Sequence, residues 1–198
     1  MSTLLTRLQD DGLTYDEYRA YWRTRKDDPA TGDDPDARKM RHYLRYNWER
    51  QTDVHDTYTP SDDLQAAVDA IDTPYAWMVI TEPWCGDSAF LLPVIAEAAA
   101  LDDAVALRIL LRDDHLDVMD QYLTDGSRSI PKLVVFDEDG TERCTWGPRP
   151  DGAQQRFEAL REEHDDKEAM ISDFIEHYED GGWREADTEL ARTLQAAE

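Results

Sequence analysis

Polar and apolar positions alternate with two periods along this chain. Tyr15, Tyr18, Tyr21 and Trp22 recur at helical spacing behind Leu13, and Thr14 with Glu17 forms a capping-box pattern. A helix starting there is predicted to pack one aromatic face on its neighbour. Residues 27–36, with Pro29, Gly32 and Pro35, read as a loop. Residues 37–55 return to the helical period, with Met40, Tyr43, Leu44, Asn47, Trp48 and Gln51 near one face. A short helix opens at Ser61, runs to Ile71 and stops at Thr73-Pro74.

The period then changes. Residues 76–80 form a short apolar run that reads as a buried strand, followed by a turn carrying Cys85 and an Ala-rich helix over 89–100 that contains Pro93. Residues 105–111 are apolar on both faces and predict a central strand. A helix over 115–123 is expected to be capped by Asp113 or Asp114. Strands over 132–136 and 141–146 flank Asp137-Glu138-Asp139-Gly140, a hairpin signal that would place Trp146 opposite Pro131 and Cys144 opposite Leu133. Helices over 151–164, 165–178 and 183–196 follow, the last two separated by Asp180-Gly181-Gly182. The order predicts an α/β fold: a mixed sheet flanked by helices on both faces.

Composition narrows the function classes. The 198 residues carry 45 acids against 21 bases, a formal charge of −24, and only 4 of the bases are Lys. The acids are dispersed, often as pairs such as Asp62-Asp63 and Asp165-Asp166. Such a surface fits a high-salt (halophilic) environment, where salt screens the repulsion; the alternative is a basic partner. Phosphates need a basic patch and none is visible in the sequence, so no nucleic-acid partner is expected. Arg38, Lys39, Arg41, Arg45 and Arg50 are expected to pair with the protein's own acids. No window reaches the length of a membrane span or a signal peptide, which predicts no membrane association and a cytoplasmic location. Two Cys do not make a disulfide scaffold. The five His show no metal-ligand spacing, so no metal or other cofactor is expected.

Candidate chemistry centres on Trp84-Cys85-Gly86-Asp87-Ser88, which places Cys85 at a helix N-terminus, where free N–H groups and the helix dipole favour a thiolate. Asp87 would oppose that effect, and Ser88 could hydrogen-bond the sulfur. Trp-Cys-Gly after a strand, with Pro93 eight residues past the Cys, resembles thioredoxin. So does the second segment, Gly126-Ser127-Arg128-Ser129-Ile130-Pro131-Lys132, which is similar to the one carrying that family's cis-proline. The site is also similar to that of bacterial thioredoxin-like proteins with Trp-Cys-Gly-Asp at this position. The resemblance implies a thioredoxin-like domain over 72–164, between an N-terminal helical extension (1–71) and a C-terminal one (165–198). The two extensions could pack on the core or form a homodimer surface.

The resemblance implies that Cys85 is the nucleophile, with Ser88 beside it. Trp84, Gly86, Asp87, Arg128, Ile130 and Pro131 would then contact a protein or low-molecular-weight disulfide. The departures are equally specific. Ser88 stands where thioredoxin has its second Cys, and Val79 where it has a buried Asp. Cycling of a dithiol within the motif is therefore excluded. Resolution by Cys144, a mid-strand Cys, is not expected. Two functions remain: a monothiol thiol–disulfide oxidoreductase working through a mixed disulfide on Cys85, or a redox-inactive thioredoxin-fold module that binds a protein or peptide.

Overall fold

The computed structural model describes residues 3–28 and 34–197. The loop expected over 27–36 falls partly at 29–33, outside the described residues. Helices α1 (Thr3–Asp11), α2 (Tyr15–Lys26), α3 (Pro35–Thr57) and α4 (Asp62–Asp69) precede strand β1 (Tyr75–Thr81) and helix α5 (Gly86–Ala99). Then come β2 (Val105–Leu111), α6 (Leu116–Met119), β3 (Lys132–Phe136), β4 (Glu142–Trp146), α7 (Asp151–Glu163), α8 (Lys167–Glu179) and α9 (Glu185–Gln195).

The strands form one mixed sheet in the order β2-β1-β3-β4, with β1 parallel to β2 and antiparallel to β3. This corrects the central placement expected for β2, which is an edge strand. Its apolar character has another cause. Leu13 forms an isolated bridge with Ile109, through hydrogen bonds of 2.9 and 2.7 Å, so the chain entering α2 covers the edge.

The β3–β4 register also differs from expectation: Leu133 faces Trp146 and Val135 faces Cys144, two residues from the predicted pairing. Asp137, not Phe136, bonds to Thr141, and a bulge at Val135/Phe136 absorbs a further residue. The side chains keep their faces because the shift is even. Helix α6 is only one turn long, and its N-cap is His115 with no side-chain bond rather than either Asp.

One face of the sheet holds the larger core, where Trp77, Val79, Leu133 and Val135 meet α5 and the helices outside it. On the other, Met78, Ile80 and Val134 meet Val118, Met119 and Ile130, with Leu5 and Leu8 of α1 completing the layer. The aromatic face predicted for α2 is buried, with Tyr18 and Trp22 fully enclosed, and the Thr14/Glu17 capping box is formed. Lys39, Arg45 and Arg50 on α3 pair with Glu168, Asp27 and Glu179.

The C-terminal helices are fixed to the rest of the molecule by Asp187. This buried carboxylate accepts hydrogen bonds from the Tyr58 hydroxyl (2.6 Å), the Ser61 amide (2.9 Å) and the Ser61 hydroxyl. Trp183 packs edge-on against Tyr58 beside it.

Candidate functional site

Three chain segments converge at one end of the sheet: the turn after β1, the segment before β3, and the exit of β4. The register sets this arrangement, since Ile80 pairs with Lys132 and Leu133 with Trp146. Gly147 follows β4 at φ +100°, and a Cβ there would stand 2.4 Å from the Pro131 carbonyl oxygen. Only glycine satisfies both demands, and its absence of a side chain lets the strand exit lie against Pro131.

Cys85 is the N-cap of α5, with extended backbone and no side-chain capping bond. It is 7% exposed. Its thiol donates to the Ile130 carbonyl at 3.3 Å, and the Ile130–Pro131 peptide that follows is cis. Burial first, and then the Asp87 charge, push the thiol up to about 11. The Ser88 hydroxyl and amide and the Arg149 guanidinium pull in the opposite direction without compensating. This corrects the thiolate expected from the helix N-terminus. About half a unit charge at a helix end does not offset removal of the sulfur from water.

Ser88 is buried beneath the sulfur and accepts a hydrogen bond from the Thr81 hydroxyl at 2.6 Å, which fixes its orientation. Gly86 leaves room for α8: a Cβ there would stand 3.2 Å from Cδ1 of Ile175. Asp87 has two partners the sequence did not indicate. Arg149 clamps it with Nε to Oδ1 at 2.7 Å and Nη2 to Oδ2 at 3.0 Å, and the Tyr178 hydroxyl donates to Oδ1 at 2.9 Å. The guanidinium lies 4.0 Å from the Phe157 ring centre and 5.3 Å from that of Phe174. Burial and then the Asp87 charge hold the Tyr178 phenol well above its ordinary range, so it acts as a donor.

Trp84 is half-buried, with the Arg112 guanidinium 4.6 Å over its ring. Arg112 also donates to the Arg128 carbonyl. The Arg128 side chain turns away to a bidentate pair with Asp120, at 2.6 and 2.8 Å. The structure therefore brings Cys85, Ser88, Ile130 and Pro131 together and leaves the Arg128 guanidinium on a surface acid. Cys144 is level with Trp77 in mid-sheet, separated from β1 by all of β3, and both cysteines are free. Among the described residues no group of three or more His, Cys, Asp or Glu could hold a metal ion. No helix there is long and apolar enough to cross a membrane.

Glu82, three residues before Cys85, is a second buried carboxyl. Burial pushes it from 4.5 up to about 7, against the Asp113 amide whose hydrogen bond it accepts at 2.9 Å. In the unfolded chain it titrates near 4.3. Between those values the folded state binds the extra proton, so stability falls as pH rises through the window from about 4.5 to 7. Glu82→Gln is expected to remove this part of the pH dependence and to exceed the native protein in stability above pH 7, as read by denaturant titration at several pH values.

A free thiol at a helix start, facing a cis-proline at one end of the central strands of a mixed four-stranded sheet, defines a thioredoxin-like α/β protein. The chain belongs to the thioredoxin family: the family described as Thioredoxin matches residues 35–163. Two solved structures resemble the whole chain. One is an HIV epitope scaffold, 17% identical over 98% of each chain with a TM-score of 0.62. The other is a protein of unknown function from Pseudomonas aeruginosa, 19% identical over 100% of each chain with a TM-score of 0.60. The likeness at that identity is one of fold, and it includes the helices outside the family match. No curated protein matches at a significant level.

Proposed function

We propose that the protein is a monothiol thiol–disulfide exchange protein acting through Cys85. The observation that carries this reading is the 3.3 Å approach of the Cys85 sulfur to the carbonyl of Ile130, next to the cis Pro131. A disulfide reaching the sulfur would lie along that segment, where backbone groups can pair with an extended peptide.

Cys85 would lose its proton to solvent and attack one sulfur of the substrate disulfide. The new S–S bond joins Cys85 to that sulfur, and the other sulfur leaves as a thiolate. With no second Cys in reach, an external low-molecular-weight thiol must attack the mixed disulfide. That attack restores Cys85 and moves the S–S bond onto the external thiol. Ser88 positions and hydrogen-bonds the sulfur but takes no electrons.

The test is release of thiol from a small symmetric disulfide. Exchange is expected to be abolished in Cys85→Ser and retained in Cys144→Ser. Equal exchange in Cys85→Ser would refute the assignment.

A second reading is favoured by a specific observation: the sulfur is buried and its thiol is raised to about 11. On that reading the fold serves as a binding module and Cys85 is a small apolar residue. Partner binding would then survive Cys85→Ala unchanged.

A further inference from the structure

Two buried hydroxyls near the Cys85 turn have no part in the exchange described above. They belong to Thr81 and Tyr18, both 0% exposed. Thr81 is the last residue of β1, and alternation along the strand sets it on the α5 face with Trp77 and Val79. Ser88 stands in the first turn of α5. Strand end and helix start thus bring two hydroxyls to 2.6 Å, with Thr81 donating to Ser88 Oγ. Tyr18 arrives from α2, outside the family-matching segment 35–163. Its hydroxyl is buried without a well-formed hydrogen bond, and the Thr81 side chain acts on it as a hydrogen-bonding neighbour.

A hydroxyl has a single proton to give. Thr81 gives its proton to Ser88, so the Ser88 proton is free for another acceptor, and the Ser88 hydroxyl favours the thiolate of Cys85. The Cys85 thiol points its own proton at the Ile130 carbonyl, 3.3 Å away, which leaves the sulfur lone pairs open to Ser88. If Thr81 accepted instead, the Ser88 proton would turn away from the sulfur. Tyr18 biases the direction. Burial holds its phenol well above its ordinary range, so it stays protonated and is able to donate to Thr81. Hydroxyls donating in one direction strengthen one another.

We propose that Thr81 and Tyr18 are positioning residues for Cys85: they form a line of hydroxyls, Tyr18 to Thr81 to Ser88, in which each donates to the next and the last donates to the sulfur. The line tightens as charge develops on the sulfur, which then becomes a stronger acceptor. It offsets part of the burial and of the Asp87 charge with neutral dipoles, while the Cys85 proton still leaves to solvent. This inference deepens the redox reading of the site and rests on it.

The test is the rate of Cys85 alkylation by iodoacetamide at about pH 9, where the thiolate is the minor form and the rate follows its fraction. Peptide mapping reads it, with Cys144 as the internal control. Thr81→Val removes the hydroxyl and keeps the branched shape. It is expected to slow labelling about tenfold, as raising the thiol by one pKa unit would. Thr81→Ser keeps the hydroxyl and is expected to restore the native rate. In a Ser88→Ala background Thr81→Val is expected to have no further effect, because its route to the sulfur is gone. Asp87 and Arg149, which act on the sulfur, and Glu82 and Tyr15, which act on Tyr18, are the same in every variant. The sign separates the line from damaged packing, since loosened packing speeds labelling and loss of the line slows it. An unchanged or faster rate in Thr81→Val, no recovery in Thr81→Ser, or equal slowing in the Ser88→Ala background overturns the proposal. Should Thr81→Val fail to fold, Tyr18→Phe keeps the ring and removes only the far hydroxyl. Slowing of about threefold is expected there, and an unchanged rate overturns the line.

Exchange with a small disulfide separates this failure from that of the redox reading. Slowed alkylation in Thr81→Val with no mixed disulfide in the native protein leaves the line standing and refutes the redox function. Unchanged alkylation in Thr81→Val with a mixed disulfide formed by the native protein refutes the line and leaves the redox function standing.

Discussion

Asp87→Asn is expected to destabilise the protein by about 3 kcal/mol and, in the same variant, to make Cys85 more reactive. The first effect follows from what is left behind. Asp87 is the bidentate partner of Arg149 and the acceptor for Tyr178, and the side chains of Arg149 and Asp87 are 17% and 12% exposed. Replacing the carboxylate with an amide removes the counter-charge and one acceptor oxygen, leaving a guanidinium between Phe157 and Phe174 with Gln154 and a single amide oxygen, shared with Tyr178, to receive hydrogen bonds. The second effect follows from charge. Asp87 is the largest electrostatic cause of the raised Cys85 thiol, and Arg149 opposes it. With the negative charge gone and the positive charge kept, the thiolate is favoured. A drop of one pKa unit would speed alkylation at neutral pH about tenfold. Denaturant titration reads the first effect and the pH profile of Cys85 alkylation reads the second. A shift of the profile along the pH axis marks a charge effect, whereas faster labelling at every pH marks loosened packing around the sulfur. An unshifted profile would show that Asp87 does not set the state of the sulfur.

Trp22→Ala is expected to cost about 4 kcal/mol, within the range for truncating a large buried aromatic. Trp22 is fully buried, donates to the Leu44 carbonyl at 2.9 Å, and meets Tyr18 and Trp48 edge-on at 5.8 and 5.7 Å. It joins α2 to α3, and α3 in turn lies along α5 and reaches the Cys85 turn, where Asn47 donates to the Pro83 carbonyl at 3.3 Å. The N-terminal helices and the sheet should therefore melt as one unit, in a single transition with a lowered midpoint at fixed salt concentration. A two-step curve whose sheet transition keeps its native midpoint would show that the N-terminal helices fold as a separate layer.

Much of this architecture was legible because its signals are local. The capping box at Thr14 and Glu17, the apolar run before Cys85 and the Asp-Gly hairpin each act within a few residues of where they are written. The convergence of Cys85 and Pro131 was legible from the two motifs that resemble thioredoxin.

What escaped depends on tertiary contacts. The edge position of β2 was hidden because Leu13 pairs with Ile109 and keeps the strand apolar. Helix α1, a short element with Leu5 and Leu8 on its buried side, gave too weak a period to stand out. Arg149 lies between Pro148 and Pro150 with no periodicity around it, and Tyr178 reads as one more packing residue of a helix. Their pairing with Asp87 spans 62 and 91 positions of sequence. The state of the sulfur was misjudged for the same reason. The helix N-terminus is visible in the sequence, whereas the burial that outweighs it depends on tertiary packing, with the Ile130 segment brought against the sulfur from 45 positions away.

The most direct measurement is peptide mapping of the protein after incubation with oxidised glutathione over a range of pH, before and after adding a small thiol. The account predicts an adduct on Cys85 that forms faster as pH rises toward 11 and is removed by the thiol. Absence of any Cys85 adduct across the range, with Cys144 labelled under the same conditions, would contradict it and leave the thioredoxin fold here as a binding scaffold.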